Sequence, residues 1–423
     1  MNAEQKLAFA AVESGRNLFI TGPAGTGKSY VIQQIRQWAK RHSKNIALTA
    51  MTGCAAVLIG GRTLHSTLSL GLGTGTAEDI AAALERNRIQ LRRVKAMHIL
   101  VIDEVSMMNS ELFDKVSYVL SLARRDHRPF GGVQMVLCGD FCQLGPVTGD
   151  YCFKSAMWQH VHSVTLHQLM RQEDTDFQNM LNSLRMGRLD KPIYKVLKGC
   201  INREFDGEIQ PTVLYSLRRH VDAVNKNEYD ALVAAGANER VYSTTYGDQY
   251  RAQVIKWAEN IGVPSEVKLC IGAQVVITAN LDVDAGIVNG TRGIVVGLPS
   301  AGPELELINR SRYVVEMKKL SDDNDILTLK YHPVQFAWAL TINKSQGMTL
   351  DRAAIDLGSS IFAPGQAYTA LSRVKNLEGV CILGLSKQAF ITHPDVVEFY
   401  GVNQSVPALA PVLRETSAPL SVA

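Results

Sequence analysis

The chain has 423 residues, 46% of them hydrophobic and 20% charged, which is the make-up of an ordinary water-soluble globular protein with room for two to four domains. Its net charge of +4 is too mild to demand a nucleic-acid partner and is compatible with a basic groove on a balanced surface. No apolar run reaches the length of a membrane span, the N-terminus lacks a secretory signal pattern, and seven scattered cysteines predict reduced core residues, so a membrane protein and a secreted disulfide scaffold are excluded and an intracellular setting is expected.

In chain order, apolar periodicity predicts a helix at 4–13, a strand at 17–20, a helix at 28–41, a strand at 45–50, a looser helix at 78–95, a strand at 98–103, a helix at 110–124 and a strand at 133–138. That alternation predicts an α/β fold with a parallel sheet covered by helices. A second alternating block starts near 162, runs to 235 and resumes at 334–400, with strands at 212–215, 336–342, 353–357 and 380–385. Between them, 265–332 has short β-rich runs (273–278, 293–297, 313–317, 326–331) broken by glycine and aspartate, and it reads as a compact all-β insertion. Residues 404–423 are Pro-, Ala- and Ser-rich and are predicted to be disordered.

The chemistry concentrates where these elements meet. Gly22-Pro23-Ala24-Gly25-Thr26-Gly27-Lys28-Ser29 follows an apolar strand and opens a helix whose Val31, Ile32, Ile35 and Trp38 share one face, the context a Walker A loop requires. Backbone N–H groups of such a loop converge on phosphates at a helix N-terminus, Lys28 reaches the terminal phosphates and Ser29 ligates Mg²⁺. The apolar run 99–102 ends in Asp103 and Glu104. Beside a phosphate loop these acids divide labour, Asp103 holding Mg²⁺ and Glu104 polarising the attacking water, although acids at strand ends are common in solvated turns. Strand 133–138 runs into Gly139-Asp140-Phe141-Cys142-Gln143, where Gln143 can sense the terminal phosphate and an Asp-capped turn is the plainer alternative. Gln5, near a helix start, is either a surface residue or a reader of adenine through its paired donor and acceptor. Thr49, Thr52 and Gly53, and then Thr63 and His65, sit on short polar stretches that could hold a phosphodiester. Taken alone they are more often caps and satisfied turns.

The ordered set GPAGTGKS (22–29), TAMTGCAA (49–56), TLHS (63–66), VIDEVSM (101–107) and CGDFCQLGPV (138–147) resembles the motifs of the Pif-type DNA helicases, the 5′→3′ branch of superfamily one that includes the RecD-like enzymes. LHQLMRQ (166–172), AWALTINKSQGMTLD (337–351) and QAYTALSRV (366–374) continue the likeness, which spans roughly residues 2 to 400. The resemblance implies two RecA-like domains, residues 1–164 and 165–264 with 333–403, and ATP between them. It also implies a wedge inserted at 67–97 and an SH3-like barrel at 265–332. It assigns phosphate-facing arginines to Arg171 and Arg373 and a nucleotide contact to Gly347. It implies a strand path along Thr49, Thr52, Gly53, Thr63 and His65 on one side and Asn343, Lys344 and Ser345 on the other. Phe141, Trp338 and Tyr331 are candidate stacking platforms, with a core role favoured for Trp338. Two positions depart from the family's pattern: Asn343 stands where histidine is usual and Gly145 where proline is usual. The implied activity is ATP- and Mg²⁺-dependent 5′→3′ unwinding of DNA, with single-stranded DNA and forks as partners, no membrane and no obligate protein partner readable. A single-strand-stimulated translocase that unwinds poorly, or acts on RNA, is the rival.

Overall fold

Strands that are apolar on both faces must be covered on both faces, and the first of them are: every residue of Leu18–Thr21 and Ile99–Asp103 is buried. The computed structural model describes residues 1–71, 75–170, 174–282, 284–321 and 327–403. Its first part comprises α1 (Ala3–Glu13), β1 (Leu18–Thr21), α2 (Lys28–Arg41), β2 (Ile46–Ala50), α3 (Gly53–Ile59), β3 (Arg62–Thr63), α4 (Leu64–Thr67), α5 (Ala77–Arg86), α6 (Arg88–Ala96), β4 (Ile99–Asp103), α7 (Ser110–Arg124), β5 (Gln134–Gly139) and β6 (His162–Thr165). The strands form one sheet in the order β3-β2-β4-β5-β1-β6, with every neighbour parallel. The predicted helix 78–95 is two helices, because Asn87 ends α5 and its side chain caps α6, accepting from Gln90 N at 3.1 Å.

The rest comprises α8 (Thr175–Arg185), α9 (Lys191–Lys198), β7 (Thr212–Tyr215), α10 (Arg218–Ala234), β8 (Glu239–Ser243), β9 (Thr245–Tyr246), α11 (Arg251–Asn260), β10 (Glu266–Cys270), β11 (Gln274–Ile277), β12 (Arg292–Gly297), β13 (Glu304–Leu307), β14 (Arg312–Val314), β15 (Lys318–Ser321), β16 (Thr328–Tyr331), β17 (Val334–Phe336), β18 (Ala339–Thr341), β19 (Ala353–Leu357), α12 (Gln366–Leu371), β20 (Val380–Leu385) and α13 (Pro394–Asn403). A second parallel sheet runs β18-β7-β19-β20. The β-rich part is antiparallel: five strands in the order β14-β13-β12-β11-β17, three in the order β15-β16-β9, and the pair β10-β8.

The run 336–342 is not one strand. At Ala337 and Trp338 the backbone leaves the antiparallel sheet for the parallel one. Ala337 N donates to Gln274 O at 2.9 Å, and Val213 N donates to Trp338 O at 2.8 Å. An unbroken apolar sequence conceals such a switch, because both sheets bury it. β8, β9 and β17 lie outside 265–332 yet pair within the antiparallel set. One hydrophobic core runs through both parallel sheets, from Phe19 and Leu100 through Phe141 and Phe177 to Leu214 and Ile355. It fixes the two sheets against each other and sets the cleft between them.

Candidate active site

The glycine-rich loop joins β1 to α2. Its Gly27 has φ +83, in the left-handed region open to glycine, and caps the helix without a side chain. Lys28 Nζ folds back over the loop and donates to the carbonyls of Gly22 (2.7 Å) and Pro23 (3.0 Å). Burial pulls the Lys28 ammonium below its ordinary range, against the pull of Asp140, Glu104 and Asp103. Gln5 is buried and lies under the loop. Its Oε1 accepts from Asn2 N at 3.0 Å in a reciprocal cap of α1, and its Nε2 donates to Thr26 O at 3.2 Å. It therefore braces the loop, and the alternative of a plain surface residue is corrected.

A cleft of about 850 Å³ opens above this loop and is lined by Ala24, Gly25, Gly27, Lys28, Ser29, Asp103, Glu104, Gln143, Gly347 and Arg373 together with residues of the β-rich part. Residues from both parallel sheets thus share one cavity. Asp103 ends β4; burial, then the adjacent Glu104, pushes its carboxyl up to about 7, while its Oδ1 accepts from Glu104 N at 2.9 Å. Glu104 has φ +54, a left-handed conformation that a side chain adopts at a cost and that turns the backbone sharply at the strand's end. A carboxylate destabilised by burial and a like charge, beside a serine hydroxyl and a phosphate loop, fits a hard divalent cation. Among the described residues no group of three or more His, Cys, Asp or Glu could hold one alone, so phosphate oxygens would complete the shell. Arg373 is 2% exposed and donates to Thr369 O (2.9 Å), Ser372 Oγ (2.8 Å) and Gln143 Oε1 (3.5 Å). Arg171 lies outside the described residues.

Several groups to which the sequence assigned no role in the cleft organise it. Asp140 is fully buried against Arg185 of α8: Arg185 Nε donates to Oδ1 and Oδ2 at 3.1 and 3.0 Å, and Nη2 donates to Oδ1 at 2.7 Å. Asp140 also caps its turn as expected, accepting from Cys142 N at 3.2 Å. Tyr400 OH donates to Asp140 Oδ1 (3.3 Å) and accepts from Phe141 N (3.1 Å), and it lies 2.7 Å from Thr21 Oγ1. Tyr368 OH, one turn before Arg373, accepts from Ala24 N of the phosphate loop at 3.1 Å. At the far end of the cleft, Asn289 is 5% exposed, and neither its side-chain oxygen nor its nitrogen has a partner. Its backbone is nonetheless pinned, since Asn289 N donates to Asn280 Oδ1 at 2.9 Å. The only local signal was an Asn-Gly dipeptide, which reads as a turn.

The expected strand-contacting residues divide. Thr52 and Thr63 are helix caps, accepting from Ala55 N and Ser66 N at 3.3 Å each, and His65 is half-buried, with burial lowering its pKa. Gly53 is covered by Ile261, so closely that a Cβ there would collide with its backbone. Asn343 and Lys344 are exposed. Three assignments are corrected by burial. The Thr49 hydroxyl lies inside the sheet and donates to Val101 O at 2.5 Å. The Ser345 hydroxyl turns inward to Ile342 O at 2.8 Å. Phe141 is 1% exposed among Phe19, Phe153 and Phe399, with ring centroids 4.9, 4.8 and 5.2 Å away, and no base can stack there. Tyr331 is likewise core, and Trp338 packs on Phe336 at 5.2 Å. Gly145 has a steric reason: the Tyr151 ring occupies the space of any side chain at that position.

A model of the PIF1-like helicase family matches residues 1–201, and one of the DNA helicase Pif1 2B domain matches residues 259–298. The crystal structure of Pif1 helicase from Candida albicans is 32% identical and superposes with a TM-score of 0.76, covering 96% of this chain and 99% of that one. The chain belongs to the PIF1-like helicase family. It is 36% identical over 421 residues to the ATP-dependent DNA helicase PIF1 of Danio rerio, across 95% of this chain and 63% of the relative. The chain therefore spans a little under two thirds of the length of that relative. Pif1 from Bacteroides in complex with ADP-AlF4 is 28% identical with a TM-score of 0.80, and the same protein bound to ssDNA is 27% identical with a TM-score of 0.66; each comparison covers 96% of this chain and 97% of that one.

Proposed function

We propose that this PIF1-like chain is an ATP-dependent 5′→3′ DNA helicase that translocates on single-stranded DNA and unwinds duplex. One observation carries the reading: Arg373, from the second parallel sheet's side, faces the same cleft as Lys28, Asp103, Glu104 and Gln143 from the first. A phosphate loop with acids on one wall and a guanidinium delivered from the other is what phosphoryl transfer needs, and such an arginine contributes about 10³–10⁵ in rate. The backbone of the loop cradles the triphosphate, and Lys28 releases its two carbonyls to take the terminal phosphates. Ser29 and Asp103 would hold a Mg²⁺ ion, which would supply neutralisation of phosphate charge. Glu104 orients the attacking water, and Gln143, already bonded to Arg373, couples that arginine to the terminal phosphate. Arg171, by its motif, supplies the second guanidinium.

The parallel sheets are RecA-like, β8 to β17 make up the inserted barrel, and α5 with α6 make up the wedge. The strand runs over Thr52, Gly53, Thr63 and His65 and then Asn343 and Lys344. Complexes of the Bacteroides relative with ADP-AlF4 and with ssDNA support both ligands. ATP hydrolysis with and without single-stranded DNA, followed by unwinding of duplexes with 5′ or 3′ tails, tests the proposal. Strand-stimulated hydrolysis and unwinding of the 5′-tailed duplex are expected. Hydrolysis without unwinding of either duplex would replace this reading with that of a translocase.

A further inference from the structure

A second cavity, of about 890 Å³, lies on the other side of α3 from the nucleotide cleft; Leu58 lines both. Eight Lys and Arg side chains face it, among them Arg36 and Lys40 of α2, Lys44 just after it, Arg92 of α6 and Lys319 of β15. Among the described residues no Asp or Glu lines it, and these five cations form no ion pair there. The three aspartates that follow β15 in the chain, Asp322, Asp323 and Asp325, lie outside the described residues. The floor of the cavity is the start of β2. β3 is only two residues long and pairs with Thr49 and Ala50, so Ile46, Ala47 and Leu48 form an open sheet edge beneath the cations. A protein that balances 44 basic against 40 acidic residues has no compositional reason to set these five cations around one hollow with no acid among the described residues that line it. Such like charges repel one another until a polyanion enters.

We infer that this basic hollow binds the phosphodiester backbone of the strand that is not being tracked, holding the second strand of a DNA junction against the first α/β unit. The inference rests on the DNA-helicase reading above. The candidate contacts for the tracked strand are Thr52, after the C-terminal end of β2, and Thr63, the last residue of β3, whereas the hollow reaches Asn45 and Ile46 at the N-terminal end of β2. Five residues of extended chain separate the two places by about 15 Å. One surface can therefore grip two backbone segments at once. Contacts of this kind carry no sequence information, and each neutralised phosphate contributes about 0.9 to the slope of log affinity against log salt on duplex DNA.

The test compares the intact chain with Lys40→Glu/Arg92→Glu and Lys40→Gln/Arg92→Gln, using a forked duplex, a short oligothymidylate and an oligothymidylate as long as the fork's loading strand. Both altered side chains are exposed, and an unchanged thermal midpoint and short-strand-stimulated ATPase report an intact fold. The expected result is a loss of at least tenfold in fork affinity for the glutamate pair and a salt slope lower by about 2 for the glutamine pair, with both oligothymidylate affinities held within twofold. An equal loss on the long oligothymidylate overturns the assignment to the second strand and gives the hollow to the tracked one. Unchanged fork affinity in both variants overturns the site. Absence of any DNA binding by the unaltered chain overturns the underlying helicase reading instead.

Discussion

Asp140 and Arg185 form a buried bidentate pair between the turn after β5 and helix α8, and removing either partner strands the other charge. The Asp140 side chain has no exposure and that of Arg185 is 11% exposed. Burial raises the Asp140 carboxyl, but the Arg185 guanidinium outweighs it and holds the group below the usual carboxylate range. Breaking a buried pair by taking away one member costs about 3–5 kcal/mol, whereas replacing both by neutral groups costs far less. Asp140→Asn and Arg185→Met are each expected to destabilise by about 3–5 kcal/mol in urea unfolding. The double variant should fall short of the sum by about 2–3 kcal/mol. The pH dependence has a definite sign. Because the folded carboxyl is the more acidic, its contribution is complete above the unfolded value of about 3.9 and disappears as pH falls through the folded one. The gap between the unaltered chain and Asp140→Asn should therefore narrow on acidification and stay constant from pH 6 to 8. Single variants that cost under about 1 kcal/mol, or a double variant equal to the sum of the singles, would refute the assignment of a coupled buried pair.

Three further outcomes concern the cleft. Lys28→Ala should lower strand-stimulated ATP hydrolysis by about 10²-fold or more, with single-strand affinity unchanged by fluorescence anisotropy; comparable loss of strand binding would contradict its phosphate role. Arg373→Ala should lower kcat by about 10³–10⁵ with a small change in KM, and a fall confined to KM would argue that this guanidinium does not act on the reacting phosphate. Asn289→Ala removes an amide that has no partner among the described residues, so its thermal midpoint should hold or rise. Its KM for ATP should rise about three- to tenfold through the loss of one or two hydrogen bonds. Unchanged KM would show that the amide meets no nucleotide.

The sequence was most legible where chemistry is local. The Walker loop and the strand ending in Asp103 and Glu104 are spelled by neighbouring residues, and the structure forms both elements where they were read. What failed was burial. Thr49 and Ser345 lie in stretches that look like phosphate contacts, but a hydroxyl's direction is decided by which side of its strand, or of its turn, faces the core. Phe141 sits in a polar turn and still enters the aromatic core, because Phe399, from the far end of the chain, closes over it. The groups that join the two halves of the cleft were beyond reach for the same reason. Tyr368 meets Ala24 across 344 positions and Tyr400 meets Asp140 across 260, and no periodicity encodes such pairs.

Those joining contacts also constrain how the cleft can open. Arg185–Asp140, Tyr400–Thr21 and Lys154–Asp395 all lie on one flank, and the first of them is expensive to break. On the opposite flank Gly347 merely packs against Leu58, and Cys54 and Lys344 are exposed. Opening at the first flank would strand a buried charge in every cycle; opening at the second separates apolar and solvated groups at little cost. The clasp should therefore act as the hinge and the Leu58 side as the mouth. Spin labels on Cys54 and on a Lys344→Cys variant should shift their separation when ADP replaces ADP-AlF4. Labels on Lys154→Cys/Asp395→Cys, in a Cys54→Ser background, should keep theirs, since that exposed ion pair contributes little by itself. Equal movement of both pairs would show that the halves slide as rigid bodies and that the buried pair is remade at each turnover.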